Sequence, residues 1–127
     1  MRKLLFIGML SLFVGGLTTP AFAKCDGGET VKGVLNEHIY CRSKTGMTWW
    51  AAFAWCKYQN RELATLSEAC PDWHSENACP NLMVDTDVWA WTADSNGSSN
   101  AFGVKLSSGT FNSGLTRDYI HGLALCY

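Results

Sequence analysis

The fold of this chain is decided by residues 47–58, which read MTWWAAFAWCKY. Thr48 is a suitable N-cap, and the sequence predicts a helix from about Thr48 to Tyr58. One face of this helix carries the residues Trp49, Ala52, Phe53 and Cys56. Trp55 and Tyr58 lie nearly opposite, so we expect both faces to be covered, the second by the N-terminal hairpin.

Short β-type segments predict strands on both sides of this helix. Before it, strands are expected at 31–35 and 38–42; after it, they are expected at 61–65, 88–92, 101–106, 110–115 and 123–127. A brief second helix is expected at 67–69, and polar loops at 70–80 and 94–100. Because one half is helical and the other is a series of antiparallel hairpins, the sequence predicts an α+β domain.

The N-terminus has the three parts of a secretory signal peptide. Arg2 and Lys3 form a basic region, and an apolar run follows over 4–17. Ala21-Phe22-Ala23 then matches the small-residue pattern at which such leaders are cleaved. We therefore expect residues 1–23 to be a signal peptide that is removed after its last residue.

Removal of this leader would leave residues 24–127, which is enough for one small domain. A lipoprotein signal is the alternative because Cys25 is close, but Lys24 stands where lipidation needs a small residue. The whole chain has 10 basic and 11 acidic residues without a basic run, so nucleic acid is not expected as a partner. The mature part has no apolar stretch long enough to cross a membrane. We expect a secreted or periplasmic protein.

Several motifs resemble the C-type lectin-like domain. They are Met47-Thr48-Trp49 with Ala52 and Cys56 on the helix, Arg61-Glu62-Leu63-Ala64-Thr65, and the terminal Leu123-Ala124-Leu125-Cys126. The stretch 88–92 stands where this family has its tryptophan-containing central strand. The resemblance covers roughly residues 40–127 and is to the short bacterial versions of the fold. It implies one or two helices packed on small antiparallel sheets, stapled by disulfides, in a protein that acts by binding.

All six cysteines follow the predicted cleavage site, and an even number in a short exported chain predicts disulfides. The resemblance implies one bond, Cys56–Cys126, which joins the helix to the last strand. Proximity then favours Cys70–Cys79 and Cys25–Cys41 for the remaining four. Zinc is the alternative, but the sequence contains no Cys-x-x-Cys pair to support it.

The motifs by which this family binds calcium are missing. There is no Glu-Pro-Asn type loop, and where a Trp-Asn-Asp motif would precede Cys126 the chain reads Asp118-Tyr119-Ile120-His121-Gly122. The remaining oxygen-rich candidates are Asp85, Asp87, Asp94 and Asn96. Such residues hold calcium in some loops, but they also favour solvated turns. We expect no metal and no cofactor.

No catalytic motif is present either. The three histidines, His38, His74 and His121, are isolated, and the chain contains no Gly-x-Ser-x-Gly or His-Glu-x-x-His pattern. A catalytic site assembled from distant residues is the alternative. We predict that the protein is not an enzyme.

Three loops form the candidate binding face, 71–86, 94–100 and 113–118, which in the related fold gather away from the termini. The predicted site residues are Trp73, Asp85, Asp87, Trp91, Asp94, Asn96 and Arg117. Trp73 and Trp91 each have two interpretations, as core residues or as exposed anchors. The predicted function is an exported, non-enzymatic recognition module that binds a glycan or protein ligand without calcium. The alternative is a structural or assembly subunit of a surface appendage or envelope complex.

Overall fold

The structure, a computed structural model, describes residues 22–71, 88–106 and 110–127. Over these residues the protein is α+β, as predicted, with one six-stranded sheet and two helices. The strands are β1 (Gly28–Lys32), β2 (Ile39–Ser43), β3 (Trp89–Asn96), β4 (Asn100–Lys105), β5 (Phe111–Thr116) and β6 (Leu123–Cys126). The helices are α1 (Trp49–Tyr58) and α2 (Leu66–Ala69). Neither helix is long and apolar enough to span a membrane.

The strands follow the order β1-β2-β6-β3-β4-β5, which places the last strand of the chain inside the sheet. Neighbouring strands are antiparallel except β3 and β6, which run parallel and pair Ala90 with Leu123 and Trp91 with Ala124. The expectation of small antiparallel sheets is therefore corrected to one mixed sheet. A hydrophobic pattern along the chain shows which segments become strands, but it contains no information on the direction in which two of them pair.

Helix α1 begins after Thr48, whose hydroxyl accepts a hydrogen bond from the Ala51 amide at 3.3 Å. This contact confirms the predicted N-cap. The buried residues of α1 are Trp49, Ala52 and Cys56. On the opposite face, Trp55 packs on Gly28 of β1, where a Cβ would lie 2.9 Å from Trp55 Cη2. The N-terminal hairpin thus covers Trp55 as expected, whereas Tyr58 remains 62% exposed.

Two of the predicted disulfides join these elements. Cys56 of α1 bonds to Cys126 of β6, and their Cα atoms are 5.5 Å apart. Cys25 bonds to Cys41 of β2, again with a Cα–Cα distance of 5.5 Å. Cys41 lies directly opposite Cys126 in the β2–β6 register. Both bonds therefore meet in one part of the sheet, where they hold α1 and the N-terminal segment against it.

The segment before α2 differs from the sequence prediction. Residues 61–65 form no continuous strand; within them Leu63 makes an isolated bridge to Cys126. Thr65 caps α2 by accepting a hydrogen bond from the Glu68 amide at 3.1 Å. Cys70, which follows α2, is disulfide-bonded. Its predicted partner, Cys79, lies outside the described residues.

The predicted loop 94–100 is largely a β-hairpin. Strand β3 continues to Asn96 and β4 begins at Asn100, so that the turn is reduced to residues 97–99. Gly97 supports this turn with a φ of 75°, which favours glycine. Strand pairing depends on backbone groups, and polar residues can therefore extend a strand beyond the point where the hydrophobic pattern stops.

Candidate functional site

Two of the three predicted loops lie side by side. Asn96 Nδ2 donates to the carbonyl of Ser113 at 2.7 Å, and the amide of Arg117 donates to the carbonyl of Ser99 at 2.9 Å. The β3–β4 turn and the end of β5 thus form one continuous surface, because β4 pairs with both strands. The third loop, 71–86, lies outside the described residues except for Pro71. The predicted site residues Trp73, Asp85 and Asp87 also lie outside the described residues.

Arg117 fixes this pair of loops to helix α1. Its Nε donates to the Asn100 carbonyl at 3.0 Å, and its Nη2 donates to the Gly97 carbonyl. Its own carbonyl accepts from the Trp49 amide at 2.9 Å. The guanidinium carbon lies 4.3 Å from the ring centroid of Trp49 and 6.0 Å from that of Trp50. A planar guanidinium can stack on an indole while its N–H groups donate in plane, and Arg117 does both.

Trp50 is the exposed member of this aromatic cluster. Its side chain is 53% exposed, and its ring packs edge-on against Trp49 with centroids 5.9 Å apart. Trp49 is buried and donates from Nε1 to the Thr92 carbonyl at 2.8 Å, while Phe53 packs against it at 4.8 Å. The buried indole of Trp49 therefore connects the sheet to the exposed indole of Trp50. We call Trp49, Trp50, Phe53 and Arg117 the platform.

Trp50 is not among the residues predicted from sequence, although a signal for it was present. A helix turns by 100° per residue, so the residue that follows Trp49 lies off the buried face. The predicted site residue Arg117 is part of the platform. Its contacts with the α1 tryptophans join residues that are far apart in sequence, and no local pattern indicates such a contact.

Trp91, by contrast, is a core residue. Its side chain is 0% exposed, its Nε1 donates to the Met47 carbonyl at 2.8 Å, and its ring packs edge-on against Tyr119. The interpretation of Trp91 as an exposed anchor is therefore wrong. The reason is that β3 lies inside the sheet, and this face of β3 is covered by α1, in a cluster that contains Trp91 and Trp49. Trp89, two residues earlier on β3, is half-buried.

Asp94 has a structural contact. Its carboxylate accepts a hydrogen bond from the amide of Leu66, the first residue of α2. A negative charge beside the amides that open a helix is stabilising, so Asp94 positions α2 against β3. Asn96 is exposed and holds the Ser113 carbonyl, as described above.

A metal site is not formed within the described part of the chain. No group of three or more His, Cys, Asp or Glu side chains there could hold an ion. Because Asp85 and Asp87 lie outside that part, calcium independence stays a prediction. Of the histidines, His38 pairs with Glu68 at 2.5 Å, and His121 packs against Tyr119 at 5.5 Å. His74 lies outside the described residues, and the absence of catalysis also stays a prediction.

The platform carries a positive charge. The ion pairs in the described ranges join other side chains, and none of them involves Arg117. The β3–β4 turn that Arg117 contacts carries the exposed polar residues Asn96, Ser98 and Ser99, and exposed Asp118 follows Arg117 after β5. The arrangement is one exposed indole, that of Trp50, beside a cation held by two backbone carbonyls and several hydrogen-bonding groups.

Comparison with known proteins adds no assignment. No protein-family model matches the chain, and no curated protein matches its sequence.

Proposed function

We propose that the protein is an exported, non-enzymatic recognition module that binds a saccharide at the platform without calcium. The observation that carries this proposal is Trp50, which exposes more than half of a large aromatic side chain beside the stacked Arg117. An indole combines a broad apolar face with rigidity, which makes it an effective binding anchor. A pyranose ring fits such a surface because its C–H face is apolar and its hydroxyl groups lie at the edge.

The rigidity of the platform supports this proposal. Trp49 is held by its hydrogen bond to Thr92, and Arg117 is held by the Gly97 and Asn100 carbonyls. Side chains that are already ordered lose little conformational entropy when a ligand arrives. The exposed serines of the β3–β4 turn, Ser98 and Ser99, offer hydroxyl groups that suit the hydroxyls of a sugar.

The likeness of the sequence to C-type lectin-like domains supports the same class of function. We propose that the chain has this fold, and the Cys56–Cys126 bond between the helix and the last strand fits the resemblance. Disulfides persist in oxidising compartments, which supports export. The sheet order alone does not identify a ligand, since one fold serves many functions.

Substitution of Trp50 tests the proposal. The chain lacking residues 1–23 is screened against immobilised saccharides, and the strongest ligand is titrated by calorimetry with each variant. We expect Trp50→Ala to lower the affinity at least about tenfold, as expected when a binding anchor is removed, with a nearly unchanged melting temperature.

Tyr58→Ala is the matched control, because Tyr58 is an exposed aromatic residue at the other end of α1. It should bind the saccharide as the wild type does. Failure to find any saccharide ligand, or equal affinities for Trp50→Ala and Tyr58→Ala, would refute the proposal.

A further inference from the structure

We infer that folding makes the peptide bond at which the leader is removed inaccessible to the processing endopeptidase. The Ala23–Lys24 bond is therefore hydrolysed before the Cys25–Cys41 disulfide closes. The inference rests on the proposed export of the chain and on its predicted cleavage after Ala23. It concerns the N-terminal segment 22–26 and is independent of the platform.

Exposure changes at this peptide bond, whereas hydrogen bonds hold the backbone on both sides of it, since the Phe22 carbonyl accepts from Asn60 Nδ2 at 3.0 Å. Phe22 is 75% exposed, and Ala23 is exposed as well. From Lys24 onward the backbone is bound to the end of α1. The Lys24 amide donates to the Gln59 carbonyl at 2.9 Å, and the Lys24 carbonyl accepts from Arg61 Nε at 2.7 Å. The residue that follows the scissile bond therefore has both backbone polar groups engaged.

The next residues are held by a buried amide and by a covalent bond. The Asp26 amide donates to Gln59 Oε1 at 2.8 Å, and Gln59 Nε2 donates to the Asp26 carbonyl at 2.8 Å. Gln59 is 0% exposed. Its side-chain amide makes the pair of hydrogen bonds with the Asp26 backbone that a neighbouring β-strand would make. Between these contacts, Cys25 is bonded to Cys41 of β2.

The Lys24 side chain is held too. Its Nζ lies 4.0 Å from the centroid of the Tyr58 ring and 3.5 Å from the Asp26 carboxylate. Both partners are exposed at the surface, so each contact is weak alone. Together with the backbone bonds they keep the segment on the surface of α1.

A processing endopeptidase needs the groups that this docking occupies. Peptide-binding clefts commonly hold an extended chain through its backbone N–H and C=O groups. Hydrolysis consumes one water and leaves a carboxylate on Ala23 and a free amine on Lys24. In the folded chain the amide and carbonyl of Lys24 are already engaged, and Cys25 is tethered. Cleavage then has to wait for local opening, and its rate falls with the population of the open form.

The test compares two states of the full-length chain in detergent micelles with a purified signal peptidase. One sample is oxidised and folded, and the other is reduced. Mass spectrometry follows the appearance of the chain that begins at Lys24. We expect the oxidised chain to be cleaved at least about tenfold more slowly, which corresponds to an opening free energy of about 1.4 kcal/mol. Equal rates would overturn the inference.

Variants separate local docking from general folding. In the oxidised state, Gln59→Leu should be cleaved faster than the wild type, whereas the distant Asn96→Ala should match it. If Gln59→Leu does not fold, Arg61→Met, which removes the contact with the Lys24 carbonyl, takes its place. Oxidised variants that are as resistant as the wild type would overturn the inference. No cleavage after Ala23 in the reduced chain would refute the proposed leader itself and the inference with it, while saccharide binding at the platform would be untouched.

Discussion

At the scale of single residues, the position of Trp91 depends on a glycine far along the chain. Gly122 lies against the edge of the Trp91 indole, and a Cβ built on it would be 2.5 Å from Trp91 Nε1 and 2.7 Å from Cε2. Real Cβ atoms do not approach other atoms so closely. Trp91 is fully buried and bonded to Met47, so it has no room to move aside. The close packing of interiors makes such positions sensitive to one added methyl group.

Gly122→Ala should therefore lower the free energy of unfolding by about 1–3 kcal/mol, the usual cost of overpacking a core. Gly114→Ala is the matched control, since its Cβ would meet its nearest neighbour, Asn112 Oδ1, at 3.5 Å, an ordinary contact. Urea unfolding measures the free energy of unfolding of both variants, and an unchanged m-value shows that the difference is one of stability. Equal stabilities of the two variants would contradict the placement of Trp91 against Gly122.

At the scale of elements, helix α1 connects the core to the platform. Its buried side packs on the sheet through Trp49 and Cys56, and Trp50 projects from the same turn into solvent. Helix α1 carries no acidic residue in its first turn. The Thr48 hydroxyl is therefore the side-chain group that satisfies an amide there, and the direction in which Trp50 projects depends on this turn.

Thr48→Ala removes this cap and should lower the free energy of unfolding by about 1 kcal/mol. Thr48→Ser keeps a hydroxyl that can accept from Ala51 and should retain most of the stability. Thr45→Ala, at an exposed site just before the helix, serves as the control. Thermal and urea unfolding compare the variants; if Thr48→Ser is as unstable as Thr48→Ala, the loss does not come from the hydrogen bond.

At the scale of the whole molecule, the disulfides connect segments that are far apart in sequence. The Cys56–Cys126 bond spans 70 residues and joins α1 to β6, whereas Cys25–Cys41 spans 16 residues. Closing a longer loop removes more conformational entropy from the unfolded chain. The bond that joins α1 to the centre of the sheet should therefore contribute more to stability than the bond that holds the N-terminal segment.

Replacing both cysteines of a pair by alanine tests this order. In the chain-entropy model, loss of Cys56–Cys126 costs about 4 kcal/mol and loss of Cys25–Cys41 about 3 kcal/mol. The total free energy of unfolding of a small domain is about 5–15 kcal/mol. Both double variants should therefore melt at clearly lower temperatures than the wild type. Calorimetric melting of the two measures the difference. A greater loss from the Cys25–Cys41 pair would contradict this ranking.

Local features of the fold were predictable because their causes are local. The capped helix α1 follows from Thr48 and the apolar spacing after it, and most of the strands follow from β-type segments between turn residues. The two disulfides that the structure describes matched prediction, one from family resemblance and one from proximity. The class, α+β, follows from these elements together.

Tertiary structure decided which tryptophans face solvent and how the strands pair. Trp91 is buried because β6 entered the sheet beside β3 and α1 covered that face, while Trp50 is exposed because the buried side of α1 was already taken by Trp49. Arg117 lies next to α1 because β5 pairs with β4 and ends beside the β3–β4 turn. A sequence determines the local preferences of its backbone and side chains, but burial is a property of the neighbours that folding brings together.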